Sequence, residues 1–262
     1  MKKIHIVGCS PRSGTTLLAE MMGACFGIDS CSEHETSLVH DRSSLLRRLE
    51  GCRIRLGKNP GDLKYVKPYL RFDSNMHVIC MVRDPRDVIV SVHGKSPDKY
   101  WVGLKYWVEF NKRVSGLENH PNFEVVRYED IVADPDAIQA RLSLWLPWLS
   151  TLAPFGSYHR VAKNVSKDSI HALGGVRAVS KESVGRWRSH LGRIAKQVSL
   201  HGSITPSLIH WGYEQDDSWE KLLDDVPFDD RLTDRSEYFS AKERSAFARR
   251  YRRAALRAFT GL

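Results

Sequence analysis

The stretch Ile4–Leu18, Ile-His-Ile-Val-Gly-Cys-Ser-Pro-Arg-Ser-Gly-Thr-Thr-Leu-Leu, decides how this chain folds. A short β-branched run leads into a turn that contains Gly8, Pro11 and Gly14, and an apolar helical pattern follows. A strand, a glycine-containing loop and a helix in this order present backbone N–H groups and a helix N-terminus to one anion. The stretch therefore predicts a phosphate-binding loop.

This loop differs from a Walker A motif, which has about four residues between its glycines and a Lys before its Ser or Thr. Here five residues separate Gly8 from Gly14, and Thr15 stands where the Lys would be. The loop is thus expected to bind phosphate without running ATP chemistry. Its side chains supply further donors to the anion, namely Arg12, Ser13, Thr15 and Thr16.

A second strand with a basic turn follows later in the chain. Met76–Val82 reads as a buried strand, and Arg83-Asp-Pro-Arg-Asp-Val-Ile-Val-Ser follows it directly. Pro85 suits the first turn of a helix. Arg83 is expected at the carboxyl end of its strand, where ligands bind in open α/β sheets, and Ser91 is eight residues further on.

Together the two segments resemble the sulfotransferases that use 3′-phosphoadenosine 5′-phosphosulfate (PAPS). Pro11–Leu18 is similar to the 5′-phosphosulfate loop of that family, and Arg83 with Ser91 is similar to its 3′-phosphate pair. The resemblance implies that one nucleotide is held at both ends. It implies the following contacts with the phosphosulfate: Arg12, Ser13, Gly14, Thr15 and Thr16.

The resemblance extends over roughly residues 4–190. Phe123–Ile131 contains a Tyr-Glu-Asp segment like that of the family, and the resemblance places Tyr128 against the adenine. Val184–Arg188 is similar to the family's late basic-aromatic segment, which closes over the 3′-phosphate side. Further nucleotide contacts implied by the resemblance are Lys95, Ser180 and Arg186.

The resemblance also implies the catalytic groups. Lys58 stands in Gly-Lys-Asn-Pro, which resembles the Lys-Asp-Pro segment of tyrosylprotein-type sulfotransferases, where the Lys contacts the phosphosulfate bridge. Glu35 is the first choice for the base that deprotonates the acceptor, and His34 is the second. Arg12 would stabilise the leaving phosphate. No metal-ligand cluster with convincing spacing is present, so no metal is expected.

Alternating strands and helices predict an α/β fold, a P-loop-NTPase-like three-layer sandwich with a central parallel sheet. We expect one sulfotransferase domain over residues 1–262, with the motifs in 4–190 and a helical extension over about 191–262. In that extension, 241–258 reads as a strongly basic helix. Its predicted apolar stripe comprises Phe247, Tyr251, Ala255 and Phe259.

Composition and charge limit the classes of partner that this chain is expected to bind. The 262 residues carry a net charge of +9, which attracts anions, yet no nucleic-acid-binding motif is found. No apolar stretch reaches transmembrane length, and the five Cys residues form no CxxC pair. We therefore expect a cytoplasmic protein with free thiols, no nucleic-acid partner and no transmembrane segment. The oligomeric state is left open.

The expected function is transfer of the sulfuryl group of PAPS to a hydroxyl or amine of a small-molecule or glycan acceptor. A carbohydrate or glycoconjugate is favoured, because aromatic residues around Trp101 and Trp107 would suit stacking on a sugar. Two alternatives stay open at this point. One is a P-loop kinase-like phosphotransferase, and the other is a nucleotide-binding module without catalytic activity.

Overall fold

The computed structural model describes residues 1–31, 35, 37–38, 51–93, 96–163, 165–235 and 241–260. Strands and helices alternate along the first half of the chain, and helices dominate the second half. The strands are β1 Lys2–Gly8, β2 Ser30–Cys31, β3 Ile54–Lys58, β4 Met76–Val82, β5 Val92–His93, β6 Ser96–Tyr100 and β7 Phe123–Arg127. The helices are α1 Thr15–Cys25, α2 Val66–Phe72, α3 Pro85–Ile89, α4 Leu104–Ser115, α5 Tyr128–Ala133, α6 Pro135–Trp145, α7 Tyr158–Val161, α8 Lys167–Leu173, α9 Leu191–His201, α10 Thr205–His210 and α11 Ala241–Thr260. Short 3₁₀ helices are formed by Pro60–Tyr65, Phe155–Ser157, Arg186–Ser189 and Ser218–Leu223.

Within the described residues, the main sheet has five parallel strands in the order β2-β3-β1-β4-β7. β4 is buried along its whole length, as expected for a central strand of a parallel sheet with both faces covered. β5 and β6 pair antiparallel in a separate two-stranded sheet. The predicted α/β fold with a central parallel sheet is confirmed.

Helices cover both faces of this sheet, and the alternation of side chains along each strand divides the core accordingly. In β4, Cys80 packs into one cluster, whereas Ile79 and Met81 pack into the other with α1. Trp107 of α4 is fully buried in the first cluster. It therefore does not line an acceptor site, contrary to the sequence-based expectation, because α4 turns this indole towards the sheet.

The basic C-terminal helix α11 docks on the domain through Phe247 and Tyr251 of the predicted apolar stripe, but the second half of the stripe is rotated from the predicted one. Ala254 and Ala258 are buried, whereas Phe259 is 74% exposed. Phe247 stacks on Tyr65 with ring centroids 5.9 Å apart, which fixes the rotation of the helix. Small residues fit where α11 approaches α2, so the stripe follows alanines that a hydrophobicity pattern does not distinguish.

Strand β3 was not predicted from the sequence. Its first residues, Ile54 and Arg55, are half-buried, and only its last three residues are buried. The strand is stabilised by pairing with β1 on one side and β2 on the other. No helix in the described part of the chain is long and apolar enough to cross a membrane.

Candidate active site

The all-parallel sheet brings the predicted site residues to a single edge. Lys58 ends β3 opposite Ile6 of β1, and Gly8, which ends β1, lies opposite Met81 of β4. Arg83 and Tyr128 follow the last residues of β4 and β7, which are also paired in register. Because carboxyl ends of parallel strands meet at one edge, the phosphate loop, Lys58, Arg83 and Tyr128 gather there.

The loop between β1 and α1 is shaped for an anion. Gly14 has a φ of 91°, and a Cβ at this position would lie 2.5 Å from Cδ2 of Tyr128. No side chain caps α1, so the N–H groups of its first turn remain directed at the loop. Ser13 is buried, and its hydroxyl donates to the carbonyl oxygen of Ser10 at 2.6 Å. Ser13 thus stabilises the loop from inside.

A cleft of about 530 Å³ opens above this loop. Its volume is within the range of ligand pockets, about 300–1,000 Å³. The structure brings most of the sequence-predicted residues together in its wall: Arg12, Gly14, Thr15, Thr16, Glu35, Arg83, Tyr128, Ser180 and Arg186. Ser13, Lys58 and Ser91 do not line it. Lys58 lines a neighbouring cavity instead, and the Ser91 hydroxyl donates to the carbonyl oxygen of Asp87 at 3.1 Å. His34 and Lys95 lie outside the described residues.

Arg83 links the two sides of the cleft. It is 8% exposed, and its Nη1 and Nη2 donate to the carbonyl oxygens of Arg12 and Ser183 at 3.0 and 2.5 Å. Its guanidinium carbon lies 4.4 Å from the ring centroid of Tyr128. Its Nε is buried without a hydrogen-bond partner in the described structure. A buried, charged donor of this kind favours a bound anion.

Four arginines line the cleft, and none has an ion pair with a carboxylate among the described residues: Arg12, Arg83, Arg177 and Arg186. The cleft walls lower the pKa of the Arg12 guanidinium by desolvation, and the charges of Arg83 and Arg186 lower it further. Arg12 also has a φ of 69°, in the left-handed region. This like-charge cluster of Arg12, Arg83 and Arg186 is most stable with an anion among the three side chains.

Glu35 lies at the wall of the cleft, and Lys58 lies beside the loop, where it lines a neighbouring cavity. The Lys58 ammonium donates to Oγ1 of Thr16 at 3.0 Å and lies 4.0 Å from Oε1 of Glu35. Burial lowers the pKa of Lys58, and Glu35 only partly opposes this shift. The unfolded chain therefore holds this proton more tightly than the folded protein, so the charge of Lys58 lowers folding stability at neutral pH.

Two contributors to the site escaped the sequence analysis. The buried carboxylate of Asp87 accepts hydrogen bonds from the backbone N–H groups of Gly185 and Trp187, at 2.7 and 3.0 Å. This contact fixes the segment that carries Arg186. Ser183 bonds through its hydroxyl to the Tyr128 hydroxyl at 2.6 Å. Both contacts join residues far apart in sequence, so no local pattern indicates them.

The strand-to-helix turn after β4 rests on a buried ionic network. Arg86 is 2% exposed and pairs with Asp84 at 2.8 Å and Glu214 at 2.5 Å. Its guanidinium carbon lies 4.1 Å from the ring centroid of Trp187 and 5.0 Å from that of Trp219. These contacts hold the start of α3, and with it Arg83, in place. Among the described residues, no cluster of His, Cys, Asp and Glu could hold a metal ion.

Three solved structures are similar to this chain, and the first of them supports the fold. The sulfotransferase domain of the Synechococcus PCC 7002 olefin synthase matches with a TM-score of 0.50 at 17% identity, covering 72% of this chain and 88% of that chain. The sulfotransferase domain from the curacin biosynthetic pathway matches with a TM-score of 0.44 at 17% identity, covering 88% and 95%. Retinol dehydratase in complex with androsterone and inactive cofactor PAP matches with a TM-score of 0.35 at 12% identity, covering 90% and 83%.

No match is found among curated proteins. The family model described as the sulfotransferase domain, however, matches residues 2–144, which is more than half of the chain. The match includes the phosphate loop, Lys58, Arg83 and Tyr128, and it ends before the segment with Arg186. This chain belongs to the sulfotransferase family, a family of PAPS-dependent transferases.

Proposed function

We propose that this protein transfers the sulfuryl group of PAPS to a hydroxyl or amine of a carbohydrate or glycoconjugate. The observation that carries the proposal is the cleft lined by Glu35, by the loop before α1 and by four arginines that have no ion pair with a carboxylate among the described residues. A nucleotide with phosphate groups at both ends matches two separate sites for anions. Arg12 and the loop serve the 5′ end, and Arg83 with Arg186 serves the 3′-phosphate.

The aromatic walls suit the adenine. Tyr128 lies between the loop and Arg83, with its ring against Gly14 and its hydroxyl bonded to Ser183. A base stacking beside Tyr128 would be held between the two anion sites. Ser180 lines the same wall. The absence of a side chain at Gly14 lets the ring of Tyr128 approach the loop closely.

Different residues of the site stabilise charge and accept the proton during sulfuryl transfer. As the bond between sulfur and the 5′-phosphate oxygen breaks, negative charge grows on the leaving phosphate, and Arg12 and the loop N–H groups stabilise it. Lys58 donates to Oγ1 of Thr16 from outside the cleft, so it would add positive charge near the bridging oxygen through that hydroxyl. Glu35 accepts the proton of the acceptor hydroxyl as its oxygen attacks sulfur. Positioning and cationic stabilisation suffice in principle, so the reaction is expected to need no metal ion.

Two alternatives are less consistent with these contacts. A kinase-like phosphotransferase would use a loop Lys and a strand-end Asp for Mg²⁺, whereas Thr15 and Arg83 occupy these positions. A module without catalytic activity would need no carboxylate in the cleft to accept the acceptor proton, whereas Glu35 lines the cleft. The match to the sulfotransferase domain also favours an enzyme.

The experiment that tests the proposal uses thermal shift and radiolabel transfer. Adenosine 3′,5′-bisphosphate (PAP) should raise the melting temperature, and ATP with Mg²⁺ should raise it less. Label from [³⁵S]PAPS should then appear on a sugar acceptor and persist in EDTA. Stabilisation by ATP–Mg²⁺ in preference to PAP would favour the kinase, and PAP binding without transfer to any acceptor would favour the inactive module.

A further inference from the structure

A second cavity, of about 270 Å³, opens beside the nucleotide cleft. It shares four wall residues with the cleft: Pro11, Glu35, Pro60 and Trp101. Glu35 thus lies on the boundary between the two spaces, where a base can reach an acceptor hydroxyl that approaches the nucleotide. Another cavity lies beside Lys58 but does not include Glu35. We therefore take the 270 Å³ space as the acceptor cavity.

The acceptor cavity has an aromatic wall with a cation beside it. Trp101 and Tyr106 both line it, and the guanidinium carbon of Arg235 lies 5.9 and 6.0 Å from their ring centroids. The backbone N–H of Arg235 donates to the carbonyl oxygen of Trp101 at 3.2 Å, and that of Asp234 donates to Tyr100 at 2.7 Å. These hydrogen bonds fix Arg235 over the aromatic wall.

Two more cations line the acceptor cavity. Lys64 lies in the 3₁₀ segment after β3, and Arg250 lies on α11. The stacking of Phe247 on Tyr65 and the burial of Ala254 set the rotation of α11. That rotation presents Arg250 to the mouth of the cavity rather than to the opposite, fully solvated face of the helix.

The two carboxylates that line the acceptor cavity, Glu35 and Asp62, both contact groups other than the cations on its wall. The buried carboxylate of Asp62 accepts from the backbone N–H of Leu38 at 2.6 Å and from the Ser37 hydroxyl at 3.1 Å, and it pairs with His5 at 3.2 Å. Among the ion pairs of the described residues, the Glu35 carboxylate pairs with Lys58, at 4.0 Å. Neither carboxylate forms an ion pair with the cations on the cavity wall.

The three wall cations, Lys64, Arg235 and Arg250, therefore have no ion pair with a carboxylate in the part of the chain that the structure describes. They lie close enough to repel one another. Burial lowers the pKa of Lys64, Asp62 opposes this shift, and the charges of Arg250 and Arg235 add to it. A negatively charged group in the acceptor cavity would remove this repulsion.

We propose that the acceptor is an anion, namely a hydroxylated compound whose carboxylate or phosphate ester is held by Lys64, Arg235 and Arg250. Its ring would stack on Trp101, and its hydroxyl would face Glu35. This inference rests on the proposed function. In the reaction the acceptor oxygen forms a bond to sulfur, the bond from sulfur to the 5′-phosphate oxygen breaks, PAP leaves with that electron pair, and the hydroxyl proton passes to Glu35.

Three hexosides that differ only at carbon 6 test the inference: 4-nitrophenyl β-D-glucoside, its 6-phosphate and 4-nitrophenyl β-D-glucuronide. Transfer from labelled PAPS gives KM for each, and calorimetry with PAP present gives Kd without chemistry. One of the two anionic hexosides should bind roughly tenfold more tightly than the glucoside. The favoured one distinguishes a carboxylate from a phosphate ester. Arg250→Gln should raise its KM about tenfold and leave the KM of the glucoside unchanged.

Arg249→Gln is the matched control, because Arg249 is exposed on the same helix and does not line the acceptor cavity. Arg235→Gln provides a second variant with the same expected effect. Equal Kd values for the three hexosides, or equal effects of Arg249→Gln and Arg250→Gln, would overturn the anionic acceptor while PAP still binds. Failure to bind PAP would instead refute the proposed function.

Discussion

Replacing Arg83 with Ala should separate the two phosphate sites of the nucleotide. The change removes two hydrogen bonds to the carbonyl oxygens of Arg12 and Ser183, each worth about 0.5–1.5 kcal/mol, and the stacking on Tyr128. These losses loosen the cleft for any adenine nucleotide. A ligand with a 3′-phosphate additionally loses a charge-assisted hydrogen bond worth about 1.5–3 kcal/mol.

Calorimetry should therefore show that Arg83→Ala weakens PAP about 10- to 150-fold more than it weakens adenosine 5′-phosphate. Adenosine 2′,5′-bisphosphate has the same charge with the phosphate moved, and its loss should resemble that of adenosine 5′-phosphate. Arg188→Ala is the matched protein control, since Arg188 stacks on Trp187 at 4.5 Å but does not line the cleft. Equal losses for PAP and adenosine 5′-phosphate would refute the assignment of Arg83 to the 3′-phosphate.

Four further substitutions probe the loop, the transfer chemistry and the Arg186 segment. Gly14→Ala places a Cβ 2.5 Å from Tyr128 and imposes a left-handed conformation that costs about 1–2 kcal/mol, so urea denaturation and PAP titration should show lower stability and affinity. Glu35→Gln should lower kcat for sulfuryl transfer by roughly 10²–10⁴ while the Kd of PAP is unchanged. Lys58→Met should raise the melting temperature at pH 7, because it removes a buried charge whose pKa is lowered, yet it should lower kcat by roughly 10²–10³. Asp87→Asn should weaken PAP binding about tenfold in calorimetry, because one of the two N–H donors would then face an amide N–H.

Each of these variants has a counterpart elsewhere in the chain. Gly174→Ala imposes the same backbone strain with no atom within 4 Å of the new Cβ, so an equal effect there would remove the contact with Tyr128 from the explanation. Glu182→Gln changes another carboxylate of the cleft and is the control for Glu35→Gln. Lys67→Met removes an exposed charge and is the control for Lys58→Met. Asp136→Asn changes a carboxylate that accepts the N–H of Gly156 away from the cleft. A normal kcat in Glu35→Gln would move the base elsewhere, with His34 as the next choice.

The sequence predicted the strands whose residues follow a simple local pattern. β1 and β4 contain apolar runs followed by turn residues, and both strands were recognised with nearly their observed bounds. β3 was missed because Arg55 and Gly57 interrupt its hydrophobic pattern, and pairing with β1 and β2 on its two sides compensates. The rotation of α11 depended on the shape of its partner helix, which a single sequence does not contain.

In the candidate site, too, some positions follow from the local sequence and others depend on contacts made only in the folded structure. Arg83 and Tyr128 each stand directly after a strand, and Arg12 lies in the loop that follows β1, so their meeting at one sheet edge could be predicted from the parallel order. Asp87 and Ser183 bond to groups that are 98 and 55 residues away in sequence, and only the folded structure brings these groups together. The roles of the site residues in binding and catalysis stay predictions until the variants above are measured.

The buried position of Arg86 has a consequence for where this protein can be shortened. The family match ends at residue 144, but Glu214 and Trp219 both contact the Arg86 guanidinium. A chain cut after the matched region would leave this cation with Asp84 alone, and without its aromatic neighbours. The boundary of sequence similarity is therefore not a boundary of independent folding, and a minimal stable fragment must extend at least to Trp219.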